Sequence, residues 1–186
     1  KYNNQQWQKL RKDYNQNKNI KMLYPLIIYT FNNNIKFNDK NNFVAGGCNK
    51  RDFNKSLKNN FIKFVNEINN KNIEFMNKDF RRIKIDLLSE NTFVYCDPPY
   101  FNSTATYNEN GGWTEKNELE LRELLIKLHN KNIKWALSNN LTTNESLEQW
   151  AKDNNLKINY LNGTYGNCNY HKLDKSNKDI EVLITN

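Results

Sequence analysis

The chain has 186 residues, with 28 Lys and Arg against 20 Asp and Glu and a formal net charge of +8. This length accommodates one domain with a real core, or one domain and a small appendage; no apolar run approaches membrane length and no signal peptide is visible, so the expectation is a cytoplasmic protein with no membrane partner. Three cysteines (Cys48, Cys96 and Cys168) are odd in number, widely spaced and free of any C-x-x-C, which argues against a disulfide framework and for a reducing compartment.

The charge is uneven. Lys1 to Asn60 holds 12 basic residues against 3 acidic ones, whereas Phe61 to Asn186 holds 16 against 17. A basic first third joined to a near-neutral remainder suits a nucleic-acid-facing part beside a catalytic or structural part; a merely solvated basic surface would have the same composition. Asn fills about a fifth of the positions, far above ordinary usage. Apolar periodicity survives between the Asn clusters, so we read a compositional bias and not disorder or an Asn ladder.

In chain order, KYNNQQWQKLRKDYNQ reads as a helix already under way, and MLYPLIIYTF as an apolar helix kinked or begun near Pro25. Asn32 to Asn54 is polar, basic and Gly-containing, which predicts loops or a short hairpin. KSLKNNFIKFVNEINNKN is an amphipathic helix in which Leu57, Phe61, Phe64, Val65 and Ile68 predict one buried stripe. After it, strand and helix alternate. NIEFMNKDF reads as a short strand leading to Asp79 and Phe80, and TFVYC as a strand leading to Asp97. TEKNELELRELLIKLHNKN reads as a helix capped by Thr114, with Glu115 and Glu118 in its first turn and Leu121, Leu124, Leu125 and Leu128 inward. IKWALSNN (strand), NESLEQWAKDN (helix), LKINYL (strand) and DIEVLIT (strand) complete the chain. The pattern predicts an α/β fold with a mostly parallel sheet, whose ligand site lies beyond the carboxyl ends of the strands. Asp79, Asp97 and Ser138 to Asn140 all fall at such ends.

The sharpest local signal is Asp97-Pro98-Pro99-Tyr100. Prolines cannot continue a central strand, so a strand ends here on a carboxylate. Asp97 is an acceptor, Pro98 offers a carbonyl held by its ring, and Tyr100 adds a flat face. Two acceptors and a stacking surface suit a planar group bearing an NH₂, such as the exocyclic amine of adenine or cytosine, or an amide. Fixed acceptors also stabilise positive charge growing on that nitrogen. A plain Pro-Pro turn with an incidental Asp is the bland alternative. Cys168 and His171 form a lone C-x-x-H without a second half-site, which is too little for zinc, and His171 reads as loop filler or a residue approaching DNA.

FVYCDPPYFNSTATYNENGGWTEKNELELRELLIKLHNKNIKWALSN resembles the catalytic segment of Dam-like adenine-specific DNA methyltransferases. FNNNIKFN (Phe31 to Asn38) and NKRDFN (Asn49 to Asn54) resemble that family's target-recognition segment, and IEVLITN its closing strand. The resemblance implies an S-adenosyl-L-methionine-dependent enzyme that flips an adenine out of double-stranded DNA and methylates its amine, in restriction–modification or a phage. It implies a partial Rossmann-like methyltransferase sheet, mostly parallel with an antiparallel last strand, in a catalytic part (residues 71–186) following a helical and loop target-recognition part (residues 1–70). Asp97, Pro98, Pro99 and Tyr100 would form the catalytic clamp. Asp79 and Phe80, together with Asp97, would face the cofactor, while Asn32, Asn34 and Lys36 would reach bases and Lys50 and Arg51 phosphates.

Two departures stand out. Lys36 occupies a position that is commonly Arg in the family, and lysine lacks Arg's rigid fork. The family also carries an upstream basic motif and a Gly-rich F-x-G-x-G cofactor turn, neither of which occurs here; Ala45-Gly46-Gly47-Cys48 follows no good strand. The expectation is therefore the C-terminal two-thirds of a longer methyltransferase, or half of a split one completed by a missing N-terminal segment or complementary chain. The alternatives are a DNA-binding remnant without activity, and methylation of RNA adenine or of a protein glutamine amide.

Overall fold

The computed structural model describes residues 4–30, 33–47, 54–101, 112–161 and 180–186. The chain divides into two compact units, Lys1–Met76 and Asn77–Asn186.

In the first unit, α1 (Asn4–Asn17) is followed by a 3₁₀ turn, Ile20–Met22, and α2 (Leu23–Ile28). Pro25 lies in the first turn of α2, where a missing N–H costs nothing. Trp7, Tyr14, Leu26, Ile28, Tyr29, Phe43 and Ala45 form the core. Asn15 ties α1 to the following loop, donating to the Phe43 carbonyl (3.1 Å) and accepting from its N–H (2.7 Å). The expected hairpin is minimal: Phe37 and Phe43 form an isolated antiparallel bridge. Its tip is closed by the Asn38 side chain, which accepts from the Lys40 and Asn42 N–H groups. Gly47 bridges to Thr30, and a Cβ there would meet the Trp7 ring at 2.7 Å, so this close approach needs glycine.

α3 (Lys55–Asn69) is capped as a helix should be, Asn54 accepting from the Leu57 N–H at 2.9 Å. Its predicted buried stripe is corrected by the structure. No residue of α3 is buried; Leu57, Val65 and Ile68 are half-buried, and Phe61 and Phe64 are exposed. Phe61 packs on Tyr24 with ring centroids 4.6 Å apart. Periodicity fixes which side of a helix is apolar; it does not supply the surface that covers it.

The second unit is a βαβ arrangement. β1 (Phe93–Cys96) pairs in parallel with β2 (Lys134–Asn140) across the connecting helix α4 (Glu115–Asn130). α5 (Glu145–Asp153) leads to β3 (Lys157–Leu161), and β4 (Glu181–Thr185) inserts antiparallel to both β2 and β3. The order is β1-β2-β4-β3, with three strands running one way and the last strand reversed. α4 and α5 share one core with the sheet: Leu121, Leu124, Leu125 and Leu128 meet Trp135, Leu137, Val182, Ile184, Leu147 and Ala151. Burying each of the leucines, Val182 and Ile184 contributes about 1.5–3 kcal/mol. Both helices end in the same way. Asn132 and Asn155 take left-handed φ values of 59° and 53°, with Ile133 N–H bonding the Leu128 carbonyl and Leu156 N–H that of Ala151. Asn tolerates this conformation, so part of the Asn surplus serves as helix stops.

The strand expected at NIEFMNKDF is absent; residues 72–79 are irregular, and Ile73, Phe75 and Met76 are exposed. An alternating apolar segment becomes a strand only when a neighbour satisfies its backbone, and no described strand pairs with it. Among the described residues β1 is likewise an edge strand, with Phe93 63% and Tyr95 58% exposed. Among the described residues no helix is long and apolar enough to cross a membrane.

Candidate active site

β1 delivers its last residue, Cys96, in register with Leu137 of β2, and Asp97 follows. Val94 and Cys96 pack against the core, and burial pushes the Cys96 thiol above its ordinary value. Asp97 is exposed, whereas Pro98, Pro99 and Tyr100 are half-buried. Among the described residues no hydrogen bond or ion pair engages the Asp97 carboxylate or the Pro98 carbonyl. Both acceptors lie at the strand's carboxyl end, where an α/β sheet places its ligands. Phe101 and residues Thr142 to Ser146 line an open hollow of about 490 Å³. The segment leaving the Pro-Pro turn thus faces the loop leaving β2.

Asn139, fully buried in β2, accepts from the Asn140 N–H (2.8 Å), but among the described residues its Nδ2 has no partner. Asn139 follows Leu137 by two residues, as Pro98 follows Cys96.

Asp79 does not end a strand, contrary to expectation. It caps a 3₁₀ turn, Phe80–Arg82, its Oδ1 accepting from the Arg81 N–H at 2.9 Å. The Arg81 guanidinium bonds Asp79 Oδ2 (2.8 Å), Glu120 Oε2 (2.5 Å) and Asn117 Oδ1 (2.8 Å). Hydrogen bonding to Glu120, and then the charges of Asp79 and Glu120, raise its pKa further. Arg81 also lies 4.7 Å over the Phe80 ring, and Trp113 approaches that ring at 5.7 Å.

Behind these residues is a polar cluster that sequence reasoning missed. Glu118 was expected only as a first-turn acid; it is buried, 3% exposed. It accepts from Trp113 Nε1 (2.8 Å), Asn144 Nδ2 (2.8 Å) and Arg122 Nε (3.1 Å). Arg122 Nη2 reaches Asn144 Oδ1 (2.9 Å) and Ser146 Oγ (3.1 Å), and its guanidinium sits 5.5 Å from the Trp150 ring. The i, i+4 spacing of Glu118 and Arg122 was readable, but it marks exposed pairs more often than buried ones. The first turns of α4, the loop after β2 and Trp113 are joined here.

Of the residues expected to meet DNA, Asn34 is exposed and its carbonyl accepts from Thr30 Oγ1 (3.1 Å). Lys36 is half-buried, and its carbonyl accepts from the Val44 N–H (2.9 Å). Asn32, Lys50 and Arg51 lie outside the described residues, as do Cys48, Cys168 and His171. Among the described residues no acidic, His or Cys group is arranged to hold a metal.

A family model described as D12 class N6 adenine-specific DNA methyltransferase matches residues 2–173. The chain is 33% identical over 185 residues to modification methylase StsI of Streptococcus sanguinis, covering 95% of this chain and 28% of that protein. It is 33% identical over 195 residues to the type II methyltransferase M.FokI of Planomicrobium okeanokoites, covering 100% of this chain and 30% of that protein. Modification methylase LlaI of Lactococcus lactis subsp. lactis is 29% identical over 165 residues, covering 84% of the chain and 26% of its own length. The chain thus spans less than a third of these relatives.

Proposed function

Because the chain belongs to the D12 class N6 adenine-specific DNA methyltransferase family, we propose that it forms the catalytic centre of an enzyme methylating the exocyclic amine of an adenine flipped from double-stranded DNA, within a restriction–modification system. The observation that carries this reading is the pair of acceptors, Asp97 and the Pro98 carbonyl, left unengaged by the described residues at the end of β1 beside the half-buried Tyr100. Asp97 and Pro98 accept the two amine hydrogens, while Pro99 fixes the turn and Tyr100 stacks on the base. The amine lone pair, drawn out of conjugation, is then aimed away from the clamp, and the positive charge that grows on nitrogen meets acceptors already in place. The methylated nitrogen sheds its proton to solvent, so no His or Lys is required.

S-adenosyl-L-methionine, when bound, supplies the activated methyl group. The chemistry of Asp79 and Phe80 fits its adenine end: a carboxylate that accepts from an amine, next to an aromatic ring. Asp97 serves that side as well. Residues 1–70 form the target-recognition part, with Asn34 and Lys36 turned to bases and Asn32, Lys50 and Arg51 to the DNA; residues 71–186 form the catalytic part of a Rossmann-like sheet. The edge of β1, carrying exposed Phe93 and Tyr95, supports a further strand beside it, supplied by another segment of the protein or a complementary chain. The cytoplasm, where the DNA is, is the proposed location. The readings as an inactive remnant, an RNA methylase or a glutamine methylase gain no support from the relatives' names.

The test is Asp97→Ala in the full-length protein, with radiolabelled methyl transfer to duplex DNA and DNA affinity measured together. Transfer should fall by about a hundred- to a thousandfold while affinity stays within about threefold, in keeping with loss of a preorganised charge-stabilising group. Transfer near the unmodified level, or equal loss of both, refutes the clamp.

A further inference from the structure

The cofactor corner proposed for Asp79 and Phe80 is not held by a strand: residues 72–79 are irregular, and Asp79 is about half exposed. Such a carboxylate ordinarily samples several rotamers, and a ligand that needs one of them loses affinity in proportion. Something else must therefore fix it.

Resting on the reading of Asp79 and Phe80 as that corner, we infer that Arg81 is its positioning residue, holding the Asp79 carboxylate in one orientation and referencing it to α4. Three features carry the inference. The two Asp79 oxygens are gripped separately, Oδ1 by the Arg81 backbone N–H at 2.9 Å and Oδ2 by its guanidinium at 2.8 Å, which fixes both χ angles. Each oxygen retains a further lone pair for an incoming N–H. The other arms of the guanidinium reach Glu120 and Asn117, in the first two turns of α4, so the corner is braced against a rigid element. Finally, the same guanidinium lies over the Phe80 ring, so one side chain sets both members of the pair. A lysine could satisfy one of these partners at a time, but it cannot span them, because the arrangement uses the planar fork.

The experiment uses the full-length protein and the product-like probe S-adenosylhomocysteine, titrated calorimetrically against Arg81→Ala, Arg81→Lys, Asp79→Asn, Phe80→Ala and the Arg81→Ala/Asp79→Asn double variant. Steady-state constants for S-adenosyl-L-methionine and for DNA are measured alongside. Arg81→Ala should weaken probe binding about tenfold, the loss of one charge-assisted bond, and raise KM for the methyl donor with kcat and DNA affinity unchanged. Arg81→Lys should fail to rescue. In the Asp79→Asn background, removing Arg81 should add little, because Arg81 acts through that carboxylate. A merely structural Arg81 would give the same loss in both backgrounds and lower kcat as well, and that result overturns the inference. Unchanged binding in Arg81→Ala, with Asp79→Asn weakened tenfold, overturns it too. If Asp79→Asn and Phe80→Ala both bind the probe normally, the corner is not a cofactor site, and the inference falls with that reading.

Discussion

Replacing Glu118 by leucine tests whether the buried polar cluster holds the second unit together. The substitution roughly conserves volume, so its cost is polar. It removes the Glu118 acceptor of Trp113 and strands the buried Asn144 amide and the Nε of Arg122, whose side chain is only 8% exposed. Removing one partner of a buried ion pair typically costs about 3–5 kcal/mol, since the remaining charge is left uncompensated. Arg122 keeps its bonds to Asn144 and Ser146 and its contact with Trp150, which places the cost near the lower end, about 3 kcal/mol. With a urea m-value of about 2 kcal/mol/M for a unit of this size, the midpoint of the second unit's unfolding transition within the full-length protein should fall by about 1.5 M. Tryptophan fluorescence is a suitable probe, because Trp113 loses its acceptor. In Glu118→Leu/Arg122→Met no charge is stranded, so the double variant should be more stable than Glu118→Leu alone. A single-variant loss below about 1 kcal/mol, or a double-variant loss equal to the sum of the singles, would refute the reasoning.

Two further outcomes can be checked directly. Gly47→Ala places a methyl 2.7 Å from the buried Trp7 ring and should destabilise the first unit by about 1–3 kcal/mol, read as a lower Tm, whereas Gly46→Ala meets nothing within 4 Å and should be nearly silent. The hydrogen bond from Lys152, with its charge and the Tyr160 hydroxyl, holds the Glu148 carboxyl below its ordinary value of 4.5. A carboxyl depressed in the folded state contributes stability above its unfolded pKa and loses it as pH falls through the folded value. Glu148→Gln should therefore lower Tm slightly at pH 7 in low salt, by less in 0.5 M salt at roughly a 5 Å screening length, and not at all at about pH 2; an effect that survives at low pH would point to another origin.

The sequence carried the second unit well where local signals and burial agree. Thr114 does cap α4, accepting from the Asn117 N–H at 3.2 Å, and the leucines of α4 do face inward. β1 stops where Asp-Pro-Pro demands, for no proline can donate to a ladder. What failed was whatever depends on a neighbour. Ile73 to Met76 has the alternation of a strand but no described strand to pair with, and the α3 stripe has the period of a buried face yet holds no buried residue. Arg81 and Glu118 were illegible for a related reason. Beside their local partners, Arg81 reaches Glu120 39 residues away and Glu118 reaches Asn144 26 residues away, and nothing in a local window says which charged side chain makes such a contact. The acceptors proposed at Asp97 and Pro98 are contiguous in sequence, whereas Arg81 meets Asn117 and Glu120 of α4, which no local window connects to it.

Among the described residues nothing engages the Asp97 carboxylate, and this has a consequence for inheritance. A side chain that the architecture does not employ is invisible to folding. A chain that lost it would be synthesised, would fold and would escape proteolysis as readily as its parent. On the proposed function, Glu118 would be guarded twice, by solubility and by activity, and Asp97 by activity alone. Once the chemistry ceased to matter to the cell, this carboxylate would be among the first residues to drift, and its presence would then distinguish a working copy from a silent one.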